Sequence, residues 1–149
     1  LKEAAVVDTT CLIGLERIGL LDVLPTLFDP VVISPEVARE FGSLLPWLKI
    51  ETPANDALLS ALKMLVDDGE AETIALASER GHKVVLDDRQ ARGVADNLGL
   101  TVIGTVGILV KAKRSGIISV LKPVLDDLGA NGFYLSGALK EEALRLAGE

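Results

Sequence analysis

A run of four apolar residues, Ala4-Ala5-Val6-Val7, ends in one carboxylate, Asp8, and two hydroxyls, Thr9 and Thr10, before a helical apolar pattern begins. No other feature constrains the fold as much. A short run this apolar reads as a strand buried on both faces. A buried strand that ends in an acid delivers that acid to its C-terminal tip. In open α/β sheets the crevice outside those tips is where ligands bind. The question for the remaining chain is which other acids reach the same edge.

The alternation that follows argues for βαβ units and a largely parallel sheet. Leu12, Leu15 and Ile18 share a helix face, and Gly19 ends it. A second helical piece, 20–27, is interrupted by Pro25. Pro30 precedes a short strand, Val31-Val32-Ile33. Ser34-Pro35 then reads as an N-cap with proline in the first helical position, opening a helix that runs to Gly42. Residues 48–52 alternate as a third strand. Leu58, Leu62 and Leu65 mark a helix that Asp67-Asp68-Gly69 stops, and 70–80 is the next, closed by Gly81. Strand 83–86 exits into Asp87-Asp88. Helix 89–98, strand 101–103 and a helix from Thr105, as its cap, to Lys113 follow. The tail reads as two helices divided near Asn131-Gly132.

Composition fits this reading. Hydrophobic residues make up 49% of the 149, but aromatics only 3%, so the core is built of Ala, Val, Ile and Leu, as suits parallel strands covered by helices. The single cysteine, Cys11, has no internal disulfide partner and points to a reducing, cytoplasmic setting. No apolar run reaches the roughly 18 residues of a membrane span. The net charge of −7 argues against a broad basic face for nucleic acid. One window runs the other way: Arg80 to Arg114 holds seven bases and three acids. Solvated helix faces would explain that equally well.

Asp8 ends the first strand and Asp88, beside Asp87, the fourth. In a parallel sheet both tips open on one edge. Glu40 lies on the helix after the second strand, and Glu70 opens the helix before the fourth, where the helix dipole favours a carboxylate. Taken singly, each acid has a structural reading: helix cap, turn or solvated side chain. Four carboxylates in one pocket cannot all remain ionised unaided. A hard divalent cation, Mg²⁺ or Mn²⁺, takes such oxygen ligands and can activate water against a phosphodiester.

At this point four motifs resemble the PIN domain family, and in particular its VapC-like toxin branch of small prokaryotic ribonucleases. VVDTTCLI resembles the family's first strand and acid, VAREFG its helical acid, GEAETIALASERG its helix-opening acid and VVLDDRQAR its fourth strand and acid. The resemblance covers about residues 5–118. It implies an α/β/α sandwich with a five-stranded, mainly parallel sheet, and Mg²⁺- or Mn²⁺-dependent cleavage of single-stranded RNA. It also implies a homodimer and a small antitoxin protein as partner. Carried over one at a time, the family's catalytic and metal-binding acids fall on Asp8, Glu40 (with Glu36 as competitor), Glu70 and Asp88. Glu72 lies about 200° round the helix from Glu70, and could act if that helix starts later; Asp87 is a possible outer helper. Glu at the third position, where the family often has Asp, reaches further. The whole of 1–149 then reads as one domain, with 117–149 a helical extension.

Other residues carry two readings. Thr10 could bond a metal water or simply start a helix. Arg89 could hold a phosphate or pair with an acid. Lys111, Lys113 and Arg114 could meet an RNA backbone or favour a helix C-terminus. Trp47 could stack a base or pack near Pro46; His82 reads as surface and Cys11 as core. The expectation is a cytoplasmic, metal-dependent endoribonuclease. The rival is a non-catalytic nucleic-acid or protein-binding module on the same fold. Phosphotransfer folds fit poorly: a haloacid-dehalogenase-type phosphatase would want an acid at Thr10, and a receiver domain would want its acidic pair after the first strand.

Overall fold

The computed structural model describes residues 1–149. Its elements in chain order are β1 (Glu3–Val7), α1 (Thr9–Arg17), α2 (Val23–Leu27), β2 (Phe28–Ile33), α3 (Pro35–Phe41), β3 (Leu48–Ile50), α4 (Asp56–Lys63), α5 (Asp68–Arg80), β4 (Lys83–Val85), α6 (Arg89–Asn97), β5 (Val102–Ile103), α7 (Thr105–Arg114), α8 (Lys122–Ala130) and α9 (Gly137–Leu146). The five strands form one sheet in the order β3-β2-β1-β4-β5, and every pairing is parallel. The expected α/β/α sandwich with a five-stranded parallel sheet is what the chain forms.

Side-chain alternation divides the core between two faces. Ala5, Val7, Val31, Ile33 and Val85 point to one side, where α1, α2, α3, α7, α8 and α9 cover them. Val6, Val32, Val84 and Leu86 point to the other, under α4, α5 and α6. Ala5, Val6 and Val7 are fully buried, the reason β1 has no polar residue in its last three positions. The two C-terminal helices belong to the first cluster through Leu125, Leu128 and Ala143.

Several boundaries differ from expectation. β2 begins at Phe28, ahead of Pro30, and its register against β1 shifts there, Glu3 pairing with Phe28 and Ala5 with Val31. A bulge accommodates a proline that has no N–H for the ladder. Pro25 does not interrupt α2; it sits in the first turn, where no intrahelical N–H bond is lost. α4 ends at Lys63, and Asp67-Asp68-Gly69 does not stop it but starts α5. Asp67 accepts the Glu70 N–H at 2.8 Å and the Glu70 carboxylate accepts the Asp67 N–H at 3.2 Å, a capping box. Gly104, not Thr105, is the N-cap of α7.

The strand order decides where a ligand can sit. From β1 the chain moves outward through β2 and β3, then returns across the sheet to β4 and moves out the other way to β5. The switch lies between β1 and β4, the point where parallel sheets open a crevice. Asp8 leaves β1 there, and Asp87 and Asp88 leave β4.

Candidate active site: an acidic cleft at the switch point

A cleft of about 1200 Å³ opens at these two strand tips. Asp8, Glu40, Asp67, Asp87 and Asp88 line its inner end. Each acid has a local reason for its position.

Asp8 occupies the N-cap position of α1, yet its carboxylate makes no capping hydrogen bond. The cap reading of this residue therefore fails, and the side chain remains directed into the cleft, only 7% exposed. Burial pushes its carboxyl up to about 7. The Thr9 N–H opposes that shift, and the charges of Asp67, Glu40 and Asp87 add to it.

Glu40 reaches the site from the last turn of α3. Its Oε1 accepts the Thr9 hydroxyl at 3.2 Å. A Cβ on Gly69 would stand 2.5 Å from that oxygen and 3.6 Å from Asp8 Oδ1, so the bare glycine at the start of α5 makes room for both. The hydroxyl that contacts an acid is thus Thr9; Thr10 is exposed on the cleft wall. Glu36, the competitor of Glu40, forms an ion pair with Arg39 instead.

Glu70 is 8% exposed and committed to the capping box. Burial pushes its carboxyl up to about 7; the Asp67 N–H opposes this, and the charges of Asp67, Asp8 and Asp88 raise it further. It lies behind the cleft lining, whereas Asp67, expected from sequence to stop a helix, faces the cleft. Glu72 points elsewhere: its Oε1 accepts the Glu36 N–H at 3.2 Å and so caps α3.

The two acids after β4 differ. Asp87 accepts the Thr105 N–H at 2.8 Å and the Thr105 hydroxyl at 2.6 Å, tying β4 to the start of α7. Burial raises its pKa, opposed by Thr105 and by the charge of Arg92. Asp88 is exposed and caps α6, Oδ2 accepting the Ala91 N–H at 2.9 Å.

Oxygen atoms alone make up this donor set: carboxylates and a threonine hydroxyl. That is the chemistry of a hard divalent cation rather than of zinc or copper. In this conformation no three of the acids stand close enough together to enclose an ion. The charges of Asp67, Glu40 and Asp87 raise the Asp8 carboxyl, and those of Asp67, Asp8 and Asp88 raise that of Glu70, a repulsion that a cation would relieve. Glu40 and Asp88 are exposed, each held by one hydrogen bond, to the Thr9 hydroxyl and the Ala91 N–H.

Bases flank the acids. Arg89 and Arg92 of α6 and Arg17 of α1 line the cleft further out. Arg92 Nη1 donates to the Leu86 carbonyl at 2.9 Å. The basic window of the sequence is otherwise dispersed. Arg80 pairs with Glu51, Lys83 with Glu3 and Lys113 with Glu149, while Lys111 lies over the Phe28 ring. Trp47 is half-buried against the core, away from the cleft. The cleft residues that sequence reasoning missed are Asp67, Arg17, Arg92 and the loop carrying Phe133 and Tyr134. Arg92 belongs to the basic window; of the others only Asp67 has a local signal, an acid three residues before a glutamate, the spacing of a capping box.

No helix is long and apolar enough to cross a membrane. Residues 4–149 match the family model DUF3368, described as a PIN domain. The matched span includes α8 and α9. No curated protein matches the chain.

Proposed function

The chain belongs to the PIN-domain family, a nuclease fold, and on that premise we propose that it is a metal-dependent endoribonuclease acting on single-stranded RNA. The observation that carries the reading is the buried carboxylate of Asp8. It stands at the sheet's switch point without a capping bond, and Glu40 and Gly69 are fitted round it.

In this reading Asp8, Glu40, Glu70 and Asp88 hold Mg²⁺ or Mn²⁺, directly or through water. When bound, the ion supplies charge neutralisation at the phosphodiester and an acidified water for attack on phosphorus. The protein's own part is positional. Asp8 is fixed by burial, Thr9 orients Glu40 through its hydroxyl, and the α5 capping box holds Glu70 behind the pair. Asp87 acts at one remove by fastening α7 to the tip of β4. Arg89 and Arg92 stand where they can meet phosphates that flank the scissile bond. An open cleft with few bases suits a single strand held at a few points rather than a duplex gripped along a basic face.

The finer reading is the toxin of a toxin–antitoxin pair, homodimeric, with a small antitoxin protein as partner. Its support is the likeness of the four motifs to the toxin branch. The rival reading, a binding module without catalysis, draws on the −7 charge and on the capping box that occupies Glu70. Cleavage of a single-stranded RNA in Mg²⁺ or Mn²⁺, with and without Asp8→Ala, decides the main reading: undiminished cleavage by the variant sinks it. Calorimetric titration with Mn²⁺ separates the rival, which predicts no binding at millimolar concentration.

A further inference from the structure

The loop between α8 and α9 closes the far end of the cleft. Thr9, Thr10, Ile13, Gly14 and Arg17 line it along one side of α1. At 1.5 Å per residue that side runs about 12 Å outward from the acids. There it meets residues 131–136.

This loop is anchored at three points. The Phe133 ring packs on Gly14, where a Cβ would stand 3.3 Å from its Cδ2. Arg17 Nη1 donates to the Asn131 carbonyl at 3.2 Å. Ser136 Oγ accepts the Leu139 N–H at 3.2 Å and so caps α9. Between the anchors Tyr134, the single tyrosine of the chain, lines the cleft and is 86% exposed. The other aromatic rings are buried or half-buried. An aromatic ring left in water forgoes a large apolar burial. Here an anchored loop presents that ring in a cleft that also carries Arg17, Arg89 and Arg92. Rings for base faces and guanidinium groups for phosphates are the two elements of single-strand recognition.

We propose that Tyr134 is a stacking platform for one nucleobase of a single-stranded RNA, with Arg17 beside it as partner for a phosphate. The proposal rests on the nuclease reading and adds a subsite to it. Tyr134 binds and orients the strand remote from the bond that breaks, so its loss weakens binding and leaves the chemistry intact.

Steady-state cleavage of a short single-stranded RNA by the full chain tests this, with Tyr134→Ala, Tyr134→Phe and a series of RNAs each carrying one abasic site. Base–aromatic stacking predicts a KM about tenfold higher for Tyr134→Ala with kcat within about twofold, and wild-type behaviour for Tyr134→Phe. One abasic position raises the wild-type KM by a similar factor and leaves that of Tyr134→Ala unchanged. A Tyr134→Ala KM within twofold of wild type, or equal sensitivity of both proteins to every abasic site, overturns the proposal while the nuclease reading stands. That result is also the one expected if the ring serves a protein partner instead. A wild-type protein that neither cleaves the RNA nor binds it by fluorescence anisotropy removes both readings. Tyr134 makes no hydrogen bond and is exposed, so an unchanged melting curve for Tyr134→Ala accompanies the expected result.

Discussion

Gly69 has no side chain where the Glu40 carboxylate lies: a Cβ on residue 69 would stand 2.5 Å from Glu40 Oε1. The first turn of α5 is therefore the surface against which an acid from α3 and an acid from β1 are set. The contact is with the far end of a flexible side chain, so the cost of filling the space falls on the position of Glu40 rather than on the backbone.

Gly69→Ala separates folding from activity. Alanine is the better helix former by up to about 1 kcal/mol, and Glu40 can swing aside. Stability is expected to stay within about 1 kcal/mol of wild type in a urea melt, while RNA cleavage drops about tenfold or more. Unchanged cleavage would remove Glu40 from the site.

Asp8→Asn changes the pH dependence of the metal-free protein. The Asp8 carboxyl titrates near 7 in the fold and near its ordinary 3.8 when unfolded. Between those values the folded state holds the extra proton, so Asp8 destabilises the fold progressively as pH rises from about 4 to 7 and fully above 7. Asparagine has no such penalty. The variant is expected to match wild type near pH 4 and to exceed it at pH 7.5, by at most about 4 kcal/mol at 1.36 kcal/mol per pH unit. Added Mn²⁺ reverses the order by stabilising wild type alone. Denaturant melts across this pH range, with cleavage lowered about a hundredfold at pH 7.5, check it.

Glu70→Gln tests an acid that is also a cap. Glutamine keeps the acceptor for the Asp67 N–H. Burial and neighbouring acids raise the Glu70 pKa to about 7, so a neutral replacement loses nothing and relieves repulsion. The melting temperature is expected to hold or rise at neutral pH, and cleavage to fall about tenfold or more. If cleavage is retained and Asp67→Asn abolishes it, the third acid is Asp67.

Asp87 and Asp88, adjacent in sequence, are expected to fail in different ways. Asp87→Ala leaves the fully buried Thr105 hydroxyl without its partner, at a cost of about 1–3 kcal/mol. Asp88→Asn preserves the α6 cap, since asparagine caps as well as aspartate, so stability shifts by less than about 0.5 kcal/mol. Its effect is on cleavage, reduced about tenfold or more. Thermal melts and single-turnover rates of the two variants make the comparison.

Much of this was legible in one dimension because it is set by local chemistry. Val31-Val32-Ile33 and Lys83-Val84-Val85 are strands since their apolar runs suit a sheet covered on both faces, and Ser34-Pro35 starts a helix with its own hydroxyl, which accepts the Val37 N–H at 3.1 Å. Glycines close helices at Gly42 and Gly81, both at positive φ. Local chemistry is ambiguous where one residue type serves two purposes. Asp67-Asp68-Gly69 has the composition of a turn and acts as a helix start. Thr105 has the hydroxyl of a cap and is itself capped by Asp87.

The sequence by itself determined the parallel α/β character, the acids at both strand tips and the family, because apolar periodicity and the order of four motifs are properties of consecutive residues. Only the tertiary structure decided which acids share the cleft. It set Asp8 free of a cap, turned Glu72 away to α3, drew Glu70 behind Asp67 and brought the loop of Tyr134 against Gly14, more than a hundred residues earlier. Such relations depend on the crossover from β3 to β4 and on the packing of α8 and α9 over the sheet. Contacts between distant residues leave no period in the chain that makes them.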